Sequence, residues 1–212
     1  MKKIFSLMVF ILLQLTITAQ ENITSYKKTT VMIPMRDGVK LFTVMLSPVN
    51  AIKPVPLLIQ RNPYGADKPV KENEIVPLTK NFSYANIESE GYIFVFQDIR
   101  GKYKSEGKME IHQPLIHQIQ KGAIDESTDT WDTIDWLIKN VPNNNGKAGI
   151  LGISYPGWLA LVGSVDPHPA LKASSEQACM GDLFLIDDFH HNCALRLSYA
   201  MKYTYEVKHV PT

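Results

Sequence analysis

The chain has 212 residues, of which 45% are hydrophobic and 20% charged, so it can bury a sizeable core and is not a disordered protein. Its formal net charge is only +1, which gives no electrostatic reason to expect nucleic acid or an anionic membrane surface as a partner. The sequence contains no internal repeats and no low-complexity segments that would indicate a repeat protein or a linker.

Residues 1–19 have the three parts of a secretory signal peptide. Two lysines form a basic start, residues 4–15 form an apolar centre, and residues 16–19 are suited to cleavage. A membrane anchor is the alternative, but the apolar stretch is too short to span a bilayer comfortably. We therefore expect a mature protein that begins near Gln20, is exported to the periplasm or secreted, and has no membrane association.

The two cysteines, Cys179 and Cys193, allow one disulfide in an exported protein but do not form a disulfide framework. Two free, buried thiols are the favoured interpretation. The sequence has no C-x-x-C motif and no spacing typical of metal ligands, so we expect neither a metal site nor a cofactor.

The first half of the chain contains the patterns of several strands. Residues 26–35 alternate loosely, reach the turn Arg36-Asp37-Gly38, and are followed by a return strand at residues 39–46, which together predict a β-hairpin. Two short apolar runs, residues 57–60 and 92–96, are typical of buried parallel strands.

Helical patterns alternate with these strands. Residues 81–89 predict a first helix, and residues 125–138 predict a second one that begins with acidic and hydroxyl residues. The polar stretch at residues 103–123 is expected to be an insertion or a long loop. Residues 171–174 predict a further strand, and residues 181–205 are expected to be mostly helical. This alternation predicts an α/β fold with a mainly parallel sheet and helices on both faces.

The most informative stretch joins a strand to a helix through a serine. Residues 148–153 have the length of a buried parallel strand, Ser154 follows, and residues 156–162 have the pattern of a buried helix. A serine at such a sharp turn holds its hydroxyl at the carboxyl end of the sheet, which is the geometry of a nucleophile elbow. Gly152 leaves room where the turn doubles back. The alternative is a chance Gly-x-Ser in an ordinary turn.

The elbow departs from the usual G-x-S-x-G pattern, because Pro156 stands two residues after the serine and the second glycine is Gly157. Proline is tolerated in the first turn of a helix and disfavours helical angles in the residue before it. We therefore expect the helix to begin at Pro156 and the N–H of Tyr155 to face the space above the serine. Two other polar side chains, Tyr64 and Asp98, also follow strands, so they are expected at the same edge of the sheet.

Several blocks of the sequence resemble the cocaine-esterase-like and X-prolyl dipeptidyl-peptidase-like serine hydrolases. Gly152-Ile153-Ser154-Tyr155-Pro156-Gly157 is similar to their G-x-S-Y-x-G elbow. Further blocks follow in the family's order from about residue 30 onward: Met35-Arg36-Asp37-Gly38-Val39-Lys40-Leu41, Arg61-Asn62-Pro63-Tyr64, Gln97-Asp98-Ile99-Arg100-Gly101 with Ser105-Glu106-Gly107, and Asp132-Thr133-Ile134-Asp135-Trp136-Leu137. Within the family, residues 166–172 and 180–189 look most similar to α-amino-acid ester hydrolases.

The resemblance implies an α/β-hydrolase fold that is incomplete at its carboxyl end. Residues 20–178 would be the amino-terminal part of the hydrolase domain, and residues 179–212 would begin a helical cap domain. A serine nucleophile also needs a base and an acid that orients the base. The family carries both far downstream of the cap, so we expect the catalytic acid and histidine beyond residue 212.

The resemblance also assigns roles to individual residues. Ser154 would be the nucleophile, the backbone N–H of Tyr155 one oxyanion donor, and the Tyr64 hydroxyl the second donor. Asp188 would be one carboxylate of a cluster that binds the α-ammonium group of the substrate. The resemblance to the α-amino-acid ester hydrolases would place an acidic residue where this chain has Pro156, which is a departure from their pattern. The alternatives are a half-buried tyrosine that covers the sheet end at position 64, and a helix N-cap or solvated acid at position 188.

Other polar residues are expected to have structural roles. Asp98 and Arg100 are expected to make an ion pair or turn contacts rather than to act in chemistry. None of the six histidines stands where the catalytic base should be. His168 is expected in a turn, and His190 and His191 are expected on a cap helix. Either of these two could be the catalytic base only if the protein were a compact esterase.

These observations predict an exported serine hydrolase that cleaves esters or amides of small molecules through an acyl-enzyme, with α-amino acyl substrates as one option. An X-prolyl dipeptidyl-peptidase is a second option. A non-catalytic truncated product or remnant of such a hydrolase is the third.

Overall fold

The computed structural model describes residues 25–66, 71–76, 87, 90–183, 189–192 and 194–209. The strands of the main sheet are β1 (Tyr26–Pro34), β2 (Lys40–Pro48), β3 (Val55–Asn62), β4 (Ile75–Val76), β5 (Ile93–Asp98), β6 (Asn144–Ile153) and β7 (Leu171–Gln177). The described helices are α1 (Glu126–Asn140), α2 (Tyr155–Gly163) and α3 (Leu197–Lys208). A separate two-stranded sheet contains β8 (His190–His191) and β9 (Ala194–Leu195).

The main sheet has seven strands in the order β4-β1-β2-β5-β3-β6-β7. Strands β1 and β2 form the predicted antiparallel hairpin, with Pro34 opposite Lys40. Its turn is closed by the N–H of Gly38, which donates to the Met35 carbonyl oxygen at 2.9 Å. Gly38 has a φ of 87°, a conformation that favours glycine.

The other half of the sheet is parallel, as predicted, and it positions the site. Strands β5, β3, β6 and β7 run in the same direction as hydrogen-bonded neighbours. All six residues of β5 are buried, with Ile93 and Val95 in one hydrophobic cluster and Phe94 and Phe96 in another. The carboxyl ends of these four strands therefore lie at one edge of the sheet, which we call the carboxyl edge.

Helix α1 confirms the second predicted helix and begins where the sequence indicated. The Asp125 carboxylate accepts hydrogen bonds from the backbone N–H groups of Ser127 and Thr128, both at 3.1 Å. This side-chain cap satisfies donors that have no partner within the helix. The buried Ile134 and Leu137 attach the helix to the same cluster as Ile93 and Val95 of β5.

The start of one strand and the type of one element differ from the sequence predictions. Strand β6 begins at Asn144 rather than near residue 148, because the chain pairs with β3 as early as Val55 opposite Asn144. Among the described residues, His190–His191 and Ala194–Leu195 pair as β8 and β9, so the prediction of a helix there was wrong. Asn192 has a φ of 49° between the two short strands, and asparagine tolerates this turn conformation. Helix α3 agrees with the helical part of the prediction.

Several predicted features lie outside the described residues. These are the predicted signal peptide and nearly all of the helix predicted at residues 81–89. The prediction of helices on both faces of the sheet depends in part on that helix. No helix within the described ranges is both long and apolar enough to cross a membrane. Cys179 carries a free thiol but is only partly buried, so the prediction of a buried thiol was wrong at this position, whereas Cys193 is outside the described residues.

Residues 101–124 contain neither helix nor strand, as expected for the polar insertion. Their carboxyl-terminal part is fixed by His117, whose Nδ1 lies 2.6 Å from the Asp125 carboxylate and whose Nε2 lies 3.1 Å from that of Asp166. Partial burial would lower the pKa of His117, but the two carboxylates outweigh it and hold the pKa above its usual value. The imidazolium therefore joins the insertion to the start of α1 and to the loop after α2.

This contact predicts a pH-dependent stability. A histidine whose pKa is raised by folding stabilises the protein fully below its unfolded pKa, and this contribution is lost as pH rises through the folded pKa. Thermal unfolding of the wild type and of His117→Gln should therefore differ most near about pH 5 and converge by about pH 9. The exposed His191, changed to Gln, is the matched control and should show no such trend. A His117→Gln difference that is constant across this range would contradict the prediction.

Candidate active site

Ser154 occupies a strained turn between β6 and α2. Its φ of 62° and ψ of −125° lie in a region that side-chain-bearing residues rarely adopt. Neighbouring backbone fixes this conformation: the Ser154 N–H donates to the Gln177 carbonyl oxygen at 3.0 Å, and the Trp158 N–H donates to the Ser154 carbonyl oxygen at 2.9 Å. The residue itself is exposed. The serine is thus presented to solvent at the carboxyl edge by a backbone that is held at both of its polar groups.

Glycines allow the chain to double back at this turn. A Cβ atom added to Gly152 would lie 2.2 Å from the carbonyl carbon and oxygen of Pro156. A Cβ atom added to Gly157 would lie 2.5 Å from the Gln177 carbonyl oxygen. Both distances are shorter than real contacts, so neither position accepts a side chain without a backbone shift. The prediction that a glycine at position 152 lets the chain double back is therefore confirmed.

Helix α2 begins at Tyr155, one residue before the predicted start at Pro156. The expectation that proline would displace Tyr155 from helical angles was wrong, because the non-helical conformation falls on Ser154 instead. Tyr155 is consequently the first helical residue, and its N–H has no partner within the helix. This N–H also lies at the positive end of the α2 dipole.

The side chain of Tyr155 points into the protein, where it is fully buried. Its hydroxyl oxygen accepts a hydrogen bond from the backbone N–H of His112 at 3.1 Å, and the His112 ring stacks on its ring at 4.4 Å. Burial raises the pKa of the Tyr155 phenol and lowers that of the His112 imidazole to about 4. Both groups are therefore neutral at neutral pH, and they connect the insertion to the helix that carries the turn.

Tyr64 follows β3, the strand next to β6 in the parallel half of the sheet. Its backbone N–H donates to the Asn62 side-chain oxygen at 2.8 Å, and the N–H of Ala66 donates to the Asp98 carboxylate at 2.5 Å. These bonds fix the loop on both sides of Tyr64, whose side chain remains 49% exposed. The structure therefore brings Ser154 and Tyr64 to the same edge, on loops that leave adjacent strands.

Asp98 and Arg100 have structural contacts, in agreement with the sequence interpretation. Asp98 is fully buried and holds the Tyr64 loop through Ala66. Arg100 forms ion pairs with Asp37 and Asp129, each at 2.7 Å. These pairs join the hairpin turn to α1 and give Arg100 a structural role.

Helix α3 lies close to Tyr64, a contact that sequence reasoning missed. The hydroxyl oxygens of Tyr203 and Tyr64 are 3.4 Å apart. The helix is anchored nearby, because Val207 is buried and its carbonyl oxygen accepts a hydrogen bond from the Lys102 ammonium group. No motif in the sequence marks Tyr203 or His112, since each reaches the site through a tertiary contact.

Asp188 and three histidines complete the comparison with the sequence predictions. Asp188 lies outside the described residues. His168 is in a turn, as expected, where its Nδ1 accepts the Ala170 N–H at 3.0 Å. His190 and His191 lie on β8 rather than on a cap helix, and the His190 Nδ1 is 2.6 Å from the Leu183 carbonyl oxygen. The described part of the chain contains no group of three or more side chains arranged to hold a metal ion.

The parallel strands, the strained serine turn between β6 and α2, and the helix that follows define the α/β-hydrolase fold. Residues 37–206 match the X-Pro dipeptidyl-peptidase (S15) family. The chain belongs to this family, which confirms the resemblance seen in the sequence.

Three known relatives agree with this assignment. The cocaine esterase of Rhodococcus sp. (strain MB1 Bresler) is 33% identical over 157 residues, which are 73% of this chain and 24% of that protein. The crystal structure of an aminopeptidase from the marine sediment archaeon Thaumarchaeota archaeon is 38% identical, with a TM-score of 0.75 over 91% of this chain and 32% of the other. An α-amino acid ester hydrolase is 40% identical, with a TM-score of 0.71 over 82% of this chain and 28% of the other.

The chain spans about a quarter to a third of the length of these relatives, with coverage of 24%, 32% and 28%. All three are hydrolases by name.

Proposed function

We propose that the protein is a serine hydrolase that cleaves ester or amide bonds through an acyl-enzyme, with Ser154 as the nucleophile. The observation that carries the proposal is the conformation of Ser154, an exposed serine held at a φ of 62° and a ψ of −125° at the carboxyl edge. Strained backbone of this kind persists where the surrounding structure enforces it, and it clusters at active sites. Membership of a family of hydrolases supports the same conclusion.

The proposed reaction uses groups that surround the turn. The Ser154 Oγ bonds to the substrate carbonyl carbon while its proton passes to a general base, and the carbonyl oxygen becomes an oxyanion. The Tyr155 N–H and the Tyr64 hydroxyl donate hydrogen bonds to that oxyanion. Breakdown of this intermediate releases the alcohol or amine, which takes the proton from the base, and water then hydrolyses the acyl-enzyme. In such a mechanism the general base is a histidine, and a carboxylate orients it.

The substrate we propose is a small-molecule ester or amide. Two relatives are named as an α-amino acid ester hydrolase and an aminopeptidase, and both names refer to an amino group of the substrate. Asp188 is the residue we propose to bind an α-ammonium group, through a charge-assisted hydrogen bond. The description of the family favours an X-prolyl dipeptidyl-peptidase as the second candidate activity. With the proposed signal peptide, the enzyme would act outside the cytoplasm.

A fluorophosphonate probe tests the nucleophile directly, because the attacking oxygen forms a bond to phosphorus as fluoride leaves. The gene product that carries this sequence should be labelled, and Ser154→Ala should lose the label and ester turnover together. Ser175→Ala is the matched control, since Ser175 is an exposed serine on the neighbouring strand β7, and it should be labelled like the wild type. Labelling that survives Ser154→Ala refutes the assignment, and an unlabelled, inactive wild type favours a non-catalytic remnant.

A further inference from the structure

The hydroxyl of Tyr203 on α3 contacts the hydroxyl of Tyr64, with 3.4 Å between the two oxygens. Its ring packs edge-on against Phe189, with centroids 5.5 Å apart, and is stacked with Tyr199 at 6.2 Å. Burial and the contact with Tyr64 both raise the pKa of Tyr203, so it keeps its proton at neutral and mildly alkaline pH. The hydroxyl is thus a fixed, protonated group in aromatic surroundings, aimed at the predicted oxyanion donor.

We propose that Tyr203 is a positioning residue for Tyr64, to whose oxygen it donates its hydroxyl hydrogen. The inference rests on the proposed function, in which Tyr64 stabilises the oxyanion. It assigns to the cap helix α3 a part in the chemistry at the carboxyl edge.

The direction of this hydrogen bond decides its effect. A phenol has one proton to donate, so Tyr64 can serve the oxyanion only when it accepts from Tyr203 instead of donating to it. In that arrangement Tyr203, Tyr64 and the substrate oxygen form a chain of hydrogen bonds in which each bond polarises the next. The chain becomes stronger as negative charge develops, and it therefore stabilises the transition state more than the bound substrate.

Contacts on both sides hold the Tyr203 and Tyr64 hydroxyls in place. The ammonium group of Lys102, which is itself buried, binds the Val207 carbonyl oxygen, and the Val207 side chain is buried one turn after Tyr203. On the sheet side, the Asn62 and Asp98 contacts fix the loop of Tyr64. Both hydroxyls are therefore held by anchored elements, and each anchor includes a residue at or just after the end of β5, Asp98 for the Tyr64 loop and Lys102 for α3.

The test is Tyr203→Phe, which removes the hydroxyl and keeps the ring. With a small ester substrate, kcat of the gene product that carries this sequence should fall roughly three- to tenfold with KM little changed. Tyr205→Phe on the same helix is the matched control, because Tyr205 is 65% exposed and stacks on His209 instead. It should keep the wild-type kcat.

A double-mutant cycle separates positioning from a general structural role. Tyr64→Phe alone should lower kcat about 10²- to 10³-fold, and adding Tyr203→Phe to it should cause no further loss, because Tyr203 acts through Tyr64. An equal loss from Tyr203→Phe in both backgrounds, or no loss in the wild type, would overturn the inference. Wild-type turnover by Ser154→Ala or Tyr64→Phe would instead refute the proposed function, and this inference with it.

Discussion

Gly152→Ala is expected to lower the free energy of unfolding by about 3 kcal/mol or more, because its methyl group has no space. The added carbon would lie 2.2 Å from the carbonyl carbon and oxygen of Pro156. Both are backbone atoms at the start of α2, so relief requires the turn to open rather than a side chain to rotate. Urea titration of the variant and the wild type measures the difference.

Gly149→Ala is the matched control for this prediction, since Gly149 lies on the same strand. Its added methyl group would meet the Leu58 Cδ1 at 3.4 Å, which is a tolerable contact with a side chain. We expect a change within about 1 kcal/mol there. Any folded Gly152→Ala protein should also react poorly with the fluorophosphonate probe, because an opened turn moves Ser154. Normal stability and normal labelling in this variant would contradict the structure of the elbow.

The elbow could be predicted from sequence because local rules determine it. An apolar strand, a serine, nearby glycines and a buried helix occur within a few consecutive residues, and each residue type limits the backbone at its own position. The same holds for the β1–β2 hairpin around Gly38 and for the Asp125 cap of α1. The start of α2 was misplaced by one residue because the non-helical backbone conformation falls on Ser154. The Ser154 N–H is bonded to the Gln177 carbonyl oxygen on β7, and proline preferences contain no information about this tertiary contact.

Contacts between distant segments could not be predicted in this way. His112 lies in a polar insertion without a motif, yet its backbone binds the Tyr155 hydroxyl. Tyr203 is 139 positions after Tyr64, and only the docking of α3 brings their hydroxyls together. The hairpin at His190 and His191 depends on pairing with Leu195 and Ala194, which composition does not reveal.

Arg61 illustrates the same limit, because the strand predicted at residues 57–60 stops before it, whereas the structure includes it in β3 with a fully buried side chain. Its guanidinium Nη1 lies 3.0 Å from the Glu126 carboxylate, and Nη2 lies 3.9 Å from that of Asp129. Nε donates to the Gln97 side-chain oxygen and Nη1 to the Thr130 hydroxyl, both at 2.8 Å. The positive charge of Arg61 therefore balances the charge of two buried acids of α1, and its hydrogen bonds link that helix to the strands of the carboxyl edge.

Arg61→Met should destabilise the protein by about 3–5 kcal/mol, the usual loss when one partner of a buried ion pair is removed. Methionine keeps much of the volume but leaves Glu126 buried without its counter-ion. Adding Glu126→Gln should recover part of the loss, because it removes the uncompensated charge. Arg36→Met is the matched control: Arg36 binds Asp132 at 2.8 Å, but its side chain is 41% exposed, so we expect a change below about 1 kcal/mol.

The pH dependence of the Arg61→Met loss tests the electrostatic explanation. Burial already raises the pKa of Glu126, and Arg61 opposes that shift, so removing the arginine raises the pKa further. A carboxyl whose pKa is raised by folding contributes stability below its unfolded pKa, and this contribution is lost as pH rises through the folded pKa. The Arg61→Met protein should therefore be less destabilised, relative to the wild type, at about pH 5 than at about pH 8. A loss that is equal at both pH values and is not relieved by Glu126→Gln would mean that side-chain packing, rather than charge, explains the role of Arg61.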